Sequence, residues 1–254
     1  MPTYETLTGD PILFFLLAVA AFIVGLSKGG LPAVGMLSVP LLSLNMSPMI
    51  AAVLLLPIYL LSDVFSVWLY RKEYSAPNLK ILIPAGTVGV AIGWAMAAYV
   101  SDQMVALLVG VMGILFCLHT WTKKDKGSIG KPASIPRGIF WGTFSGFTSF
   151  ISHAGGPPFQ IFVLPQKLPK MVFAGTSTIT FAVINLAKVV PYSMLHPYNK
   201  STLLVCALLV PAAAIGTLLG KSLIKRLSEK WFYLTVQIAL FIICVRLVVG
   251  AIGA

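Results

Sequence analysis

The residues of this 254-residue chain that could do chemistry are a few charged side chains in apolar surroundings. Asp63 and Lys188 fall within long hydrophobic runs, and two more, Lys28 and His153, lie beside pairs of glycines. In a membrane protein a buried charge is expensive and is by default a sign of function. Two lysines against one carboxylate leave one positive charge uncompensated, which predicts a bound anion. The alternative is a structural ion pair of Asp63 with Lys28 or Lys188.

Two glycine-rich segments supply the first candidate binding residues. They read SKGG at 27–30 and SHAGG at 152–156, and proline follows each within two positions. A helix that starts after each glycine pair would expose free N–H groups and the positive end of its dipole, so two converging ends favour an anion. The alternative is that the glycines only allow close helix packing. The candidates are Ser27, Lys28, Gly29, Gly30, Ser152, His153, Gly155 and Gly156.

A polar stretch after the second glycine-rich segment extends the candidate site. Hydroxyl groups are compact donors to oxyanions, although membrane helices also use them for hydrogen bonds between helices. Asp63 and His153 are in addition the candidates for proton coupling. The substrate-binding candidates of this stretch are Thr176, Ser177, Asn185 and Lys188, and weaker candidates elsewhere include Tyr59, Ser62, Gln160 and Tyr192.

Composition places these residues in a membrane. Hydrophobic residues make up 58% of the chain and charged residues 10%, against roughly 25% charged in typical soluble domains. A water-soluble globular protein is therefore excluded. Segments 31–44 and 159–165 are too short to cross a hydrocarbon core of about 30 Å. The apolar segments are 11–27, 31–44, 49–70, 80–99, 104–121, 138–152, 159–165, 171–195, 201–220 and 231–250.

The segments repeat. The glycine pair at 29–30 recurs 126 positions later, and Pro84, Gly89 and Gly93 recur 127 positions later. We therefore divide the chain into a first repeat (1–121), a linker (122–137) and a second repeat (138–254). The predicted fold is an all-α polytopic membrane protein in which each repeat has a broken, re-entrant hairpin and three full transmembrane helices. Hairpin tips of this kind must face protein or a water-filled cavity.

Charge sets the expected orientation. The chain has 18 basic and 7 acidic residues, a net charge of +11. Basic residues concentrate in the 71–80, 122–137 and 221–230 loops, which are therefore expected to be cytoplasmic. The two repeats are then inverted, and both termini lie outside a bacterial-type cytoplasmic membrane. Inverted repeats with broken helices are a recurring architecture of transporters.

The sequence gives little indication of nucleotide hydrolysis, metal binding or cysteine chemistry. The sequence has no GxxxxGK[ST] nucleotide loop and no metal-binding motif, and its three cysteines are dispersed in apolar stretches. We expect no enzyme activity, no cofactor, no metal and no nucleic-acid partner. The expected partners are a small anion and the lipid bilayer, with a homodimer open as the assembly. A membrane enzyme or an assembly factor is the rival of a different class.

The chain resembles the TauE/SafE family of membrane transporters in two stretches. The first, from His153, reads HAGGPP-x-x-I-F-V-L-P, and the second, from Phe173, reads F-A-G-T-S-T. The resemblance covers essentially the whole chain. It places the family's glycine motifs on Gly25, Gly29 and Gly30 and on Gly146, Gly155 and Gly156. Lys28 stands where many members have glycine.

The resemblance implies a substrate class. The family is associated with sulfite, sulfonates such as sulfoacetate, and related small organic anions. We therefore expect a secondary transporter of a small organosulfur anion that works by alternating access, with proton coupling as a hypothesis. An anion channel and a transporter of a non-sulfur carboxylate remain the alternatives.

Overall fold

The computed structural model describes residues 7–29, 34–99, 101–122, 130–226 and 229–253. Within these ranges the chain forms helices and no strand, which confirms the expected all-α class. The α-helices are α1 (Pro11–Lys28), α2 (Ser38–Leu42), α3 (Pro48–Tyr70), α4 (Ala76–Met96), α5 (Asp102–Thr122), α6 (Ile135–Ser152), α7 (Gly156–Val163), α8 (Lys170–Leu195), α9 (Lys200–Arg226) and α10 (Glu229–Ile252).

Several helices are long and apolar enough to cross a membrane. Among the described residues these are α1, α3, α4, α8 and residues 200–223 of α9. Large apolar side chains such as Phe65, Trp68 and Leu186 are exposed on the outside, whereas lysine, aspartate and hydroxyl side chains are buried inside. This distribution is the reverse of a water-soluble protein and is what a lipid environment requires. The chain is a multi-pass membrane protein.

Two short helices interrupt the long ones where broken hairpins are predicted. After α1 the described chain resumes with a 3-10 turn at Val34–Leu37 and then α2, and after α6 it forms α7 and a 3-10 turn at Leu164–Gln166. At 1.5 Å per residue, a helix of α7's eight residues is about 12 Å long and cannot span the hydrocarbon core. The second hairpin therefore cannot cross the membrane through α7 alone.

The second hairpin begins a little earlier than the sequence pattern suggests. Helix α6 begins at Ile135, two residues before the predicted end of the linker, because Pro136 has the fixed φ that favours a first helical turn. Helix α7 begins at Gly156, three residues before the apolar run at 159–165, and so starts at the glycine pair as the sequence predicts. Segment 123–129 of the predicted linker lies outside the described residues.

The helices pair across the two halves of the chain. Helix α1 packs on α9, α4 on α6, α5 on α10, and α3 on α8. A side chain at Gly25 would collide with the backbone of Ala213 in α9, and one at Gly146 would collide with that of Gly86 in α4. Close backbone contact through small residues is how membrane helices associate. The inverted orientation of the two halves stays a prediction.

A proline in the middle of α3 leaves one carbonyl without its helical partner. Pro57 has no N–H to donate to the carbonyl of Val53. The hydroxyl of Tyr198, in the loop between α8 and α9, donates to that carbonyl at 2.8 Å. Burial raises the pKa of Tyr198, which keeps its phenol protonated and able to donate. The carbonyl is therefore satisfied inside the protein, as a membrane environment demands.

Candidate functional site

The ends of α1 and α6 meet α3 and α8 at a small polar cavity. Its volume is about 30 Å³, and a cavity needs about 10–15 Å³ on this measure to hold one water molecule, so two waters would fit. Both glycine-rich segments contribute to its wall, as the sequence predicts. The lining residues are Ser27, Lys28, Gly35, Tyr59, Ser149, His153, Gly156, Ser177, Thr178, Phe181 and Asn185.

Lys28 forms a buried ion pair with Asp63. Its Nζ lies 2.5 Å from Oδ1 of Asp63, and both side chains are about 95% buried. The other carboxylate oxygen accepts a hydrogen bond from Nδ2 of Asn185 at 2.7 Å. Of the two partners that the sequence leaves open for Asp63, the structure provides Lys28. The carboxylate lies behind the cavity wall, which Lys28 and Asn185 form.

A second cation, Lys188, lies behind the opposite part of the wall. Its Nζ is 2.8 Å from Nδ1 of His153 and donates to the carbonyl and the hydroxyl of Ser149 at 3.1 and 3.2 Å. The other ring nitrogen of His153, Nε2, is 2.9 Å from the carbonyl of Ala52. Because a carbonyl oxygen only accepts, Nε2 carries the hydrogen and Nδ1 accepts from Lys188. His153 is therefore neutral in this arrangement.

Tyr59 of α3 joins the two glycine-rich ends. Its ring stacks on that of His153 with centroids 4.2 Å apart, and Nζ of Lys28 lies 5.3 Å from the same ring. Its hydroxyl donates to the carbonyl of Gly35 at 3.2 Å and lies 3.0 Å from the hydroxyl of Ser38. A cation over an aromatic face is attracted by the ring quadrupole. The ring of Tyr59 thus contacts Lys28 at the end of α1 and His153 at the end of α6.

Three hydroxyl groups in the wall are available to a ligand. Ser27, Ser177 and Thr178 line the cavity, and their side chains make no hydrogen bond with any other described residue. Each hydroxyl can donate one hydrogen bond and accept two. Together with the ammonium of Lys28, they give the cavity several hydrogen-bond donors, which suit the oxygens of an oxyanion.

The second glycine-rich segment turns in an unusual backbone conformation. His153 ends α6 in the left-handed region, with φ 53° and ψ 20°. The hydroxyl of Ser145 donates to the carbonyl of Gly155 at 2.7 Å and supports the turn. Pro157 and Pro158 have no N–H, so α7 presents only the N–H of Gly156 at the cavity. At this second segment the expected array of free N–H groups is thereby reduced to one.

The cavity brings together some of the sequence-predicted residues and leaves others outside. The predicted residues in its wall are Ser27, Lys28, His153, Gly156, Ser177 and Asn185, with Asp63 and Lys188 directly behind.

The remaining candidates are engaged elsewhere or are not described. Gly29 packs on α9 and its carbonyl accepts from Tyr70 at 2.8 Å. The hydroxyl of Thr176 donates to Val172 at 2.6 Å, and Ser152 and Gly155 make contacts within the hairpin. Gly30 lies outside the described residues.

Several lining residues were not selected from the sequence. Ser149 lies one helical turn before His153, and Phe181 one turn after Ser177, so a four-residue spacing would have placed each on the face of a chosen candidate. Gly35 follows the first hairpin tip without any such signal. Tyr59, a weak candidate by sequence, has a larger structural part than expected.

Comparison with known proteins identifies the family. A family model described as Sulfite exporter TauE/SafE matches residues 17–247, nearly the whole chain. No curated protein and no solved structure matches the chain. The match confirms the resemblance to the family, whose members are transporters of sulfite and related sulfur-compound anions. The chain belongs to the TauE/SafE sulfite exporter family.

Proposed function

We propose that this protein is a secondary transporter that binds a small sulfur oxyanion in the cavity between the ends of α1 and α6. The observation that carries the proposal is a buried cavity where the described residues leave one positive charge uncompensated and three hydroxyls without a hydrogen-bond partner. An anion of this class has several acceptor oxygens. The wall offers it donors and a cation.

In the proposed binding step, the ammonium of Lys28 turns from the carboxylate of Asp63 to an oxygen of the anion. Lys28 both contacts Asp63 and lines the cavity, so a rotation of its side chain can exchange the carboxylate for an oxygen of the anion. The hydroxyls of Ser27, Ser177 and Thr178 donate to the remaining oxygens. Lys188 contributes its charge through His153 without touching the anion.

Alternating access is the proposed way in which the site reaches each side of the membrane. Polar contacts lie near both ends of α3. Beyond its last residue, Asn78 at the start of α4 and Gln166 after α7 exchange two amide hydrogen bonds of 2.8 and 3.0 Å. Near its first residues, the hydroxyl of Tyr198 donates to the carbonyl of Val53. Breaking the contacts near one end of α3 while those near the other end stay intact would expose the cavity to one side of the membrane only. By the distribution of basic residues, we place the Asn78 end in the cytoplasm and both termini outside.

The central test is Lys28→Ala in proteoliposomes loaded with labelled methanesulfonate or sulfite. Loss of a charge-assisted hydrogen bond predicts uptake at least about tenfold lower at subsaturating substrate. Lys72→Ala removes an exposed lysine from the loop after α3 and is the matched control. Normal uptake by a well-expressed Lys28→Ala protein would contradict the proposed site.

The same vesicles separate a carrier from an anion channel. A carrier shows saturable counterflow, in which unlabelled anion inside the vesicle accelerates entry of the labelled anion. A channel shows high conductance that does not saturate, and this outcome would replace alternating access by a pore with the same lining.

Proton coupling stays a prediction, and the geometry favours Asp63 over His153 as its carrier. A proton added to Nδ1 of His153 would face the ammonium of Lys188 at 2.8 Å. Asp63 is free to accept one when Lys28 turns to the anion. An imposed pH gradient that leaves methanesulfonate uptake unchanged would remove the coupling hypothesis.

A further inference from the structure

The charges around the cavity can be counted from their contacts. Lys28 and Asp63 cancel as an ion pair, with 2.5 Å between Nζ and Oδ1. Lys188 lies behind Ser149 and His153, and among the described residues no carboxylate lies within ion-pair distance of it. The cluster therefore carries a net charge of one positive unit if Lys188 is an ammonium.

The contacts of Lys188 support the ammonium form. An ammonium has three N–H donors, and here three acceptors lie within 3.2 Å: the carbonyl of Ser149, its hydroxyl and Nδ1 of His153. If the proton moved along the short contact to His153, the ring would carry it. The pair would still hold one positive charge.

A buried site is sensitive to its total charge. Lys188 is completely buried, and Lys28 and Asp63 are nearly so. Charge interactions are much stronger in such surroundings than in water, and an unbalanced charge there is costly. An anion with one negative charge brings the cluster to zero. A doubly charged anion leaves an excess of one negative charge, and a neutral molecule leaves the positive charge unbalanced.

We infer that the cavity selects an anion with a single net negative charge, and that Asp63 sets this limit. The inference rests on the proposed function, because it specifies which members of the oxyanion class the same site accepts. Asp63 acts as an internal anion: while it is ionised, only one of the two lysine charges is available to the ligand. Without it the cluster would hold two positive charges and accept a dianion.

Three small molecules test this selection without a change in size. Dimethyl sulfone, methanesulfonate and sulfate have the same number of non-hydrogen atoms around sulfur, and their charges are zero, one and two negative units. Calorimetric titration of the purified full-length protein at neutral pH should show methanesulfonate binding at least about tenfold more tightly than sulfate or dimethyl sulfone. Sulfate binding as tight as methanesulfonate binding would overturn the inference.

Asp63→Asn tests the part assigned to the carboxylate. The amide keeps the shape of the side chain but raises the cluster to two positive charges, so sulfate affinity should rise at least about tenfold and the preference for methanesulfonate should disappear. Glu73→Gln removes one acidic group from an exposed position after α3 and is the control that should leave the preference unchanged. A folded Asp63→Asn protein with wild-type selectivity would overturn the inference.

Failure of the charge rule can be distinguished from failure of the proposed oxyanion site. If wild-type protein binds methanesulfonate and sulfate equally, the oxyanion site stands and the charge rule fails. If it binds neither, both fail. Lys188→Gln provides a second variant in case Asp63→Asn does not fold. With the cluster at zero charge, it should lose methanesulfonate affinity at least about tenfold, and unchanged affinity would contradict the charge count.

Discussion

The end of α1 and the end of α6 each present a polar side chain to the cavity and pair it with a charged residue of the long helix that follows. At the end of α1 a cation, Lys28, meets the carboxylate of Asp63 in α3. At the end of α6 a neutral ring, His153, meets the cation Lys188 in α8. Asp63 and Lys188 occupy nearly equivalent places in the predicted repeat. The two halves thus share an architecture but differ in the sign of the supporting charge.

The difference assigns separate tasks to the two ends. Lys28 lines the cavity, whereas Lys188 is held by Ser149 and His153 behind the wall. In the proposed binding step Lys28 exchanges its carboxylate for the anion and Lys188 stays in place. Nearly equivalent positions of the two halves would then have different parts in binding.

The largest expected effect comes from breaking the ion pair at the first end. Asp63→Ala leaves Lys28 buried without its partner and should destabilise the protein by about 3–5 kcal/mol. Lys188→Met leaves only uncharged acceptors unpaired and should cost about 1–3 kcal/mol. Thermal unfolding in detergent measures both. The double variant Lys28→Met with Asp63→Ala should recover much of the loss, and equal costs for the two single variants would contradict the comparison.

A smaller effect on stability is expected when glycine and alanine are compared at His153 and at Ser27. The order of the two variants should be opposite at the two positions, because their backbone conformations differ. His153 has φ 53°, where a residue with a Cβ costs about 1–2 kcal/mol relative to glycine, so His153→Gly should be more stable than His153→Ala. Ser27, the position 126 residues earlier, lies within α1, where glycine costs about 1 kcal/mol relative to alanine. Ser27→Ala should therefore be more stable than Ser27→Gly. The same order at both ends in thermal unfolding would contradict the assigned turn.

The smallest effects concern the carbonyl groups of the two glycine-rich segments. Tyr70→Phe removes the donor to Gly29, and Ser145→Ala removes the donor to Gly155. Each should lower the free energy of unfolding by about 0.5–1.5 kcal/mol, because one buried hydrogen bond is lost in each case. Thr87→Ala, which removes an exposed hydroxyl bonded within its own helix, is the control and should have the least effect.

Much of the fold could be predicted because the length of an apolar run and the glycines and prolines at its ends are properties of the sequence itself. The run at 49–70 became Pro48–Tyr70, and the run at 171–195 became Lys170–Leu195. The glycine pair followed by proline at 155–158 located the turn between α6 and α7. The boundary that moved, at the start of α6, depends on which proline fills the first helical turn, and Pro132 and Pro136 were both available.

Less of the site could be predicted because contacts across helices depend on rotation about each helix axis. Thr176 and Ser177 are neighbours in α8, yet neighbouring residues in a helix point about 100° apart. One therefore bonds within its helix and the other lines the cavity. The partner of Asp63 was ambiguous for the same reason, since either lysine could face it until the rotation of α3 was known.

The glycine contacts between α1 and α9 and between α4 and α6 have a mechanical consequence. Each of these tight pairs takes one helix from each half of the chain, so the halves are interleaved rather than placed side by side. A motion that separated the first half from the second would have to pull apart contacts between backbones. In the proposed alternating-access cycle each tight pair would move as one unit, so the ends of α1 and α6 would travel with helices encoded in the opposite half of the sequence.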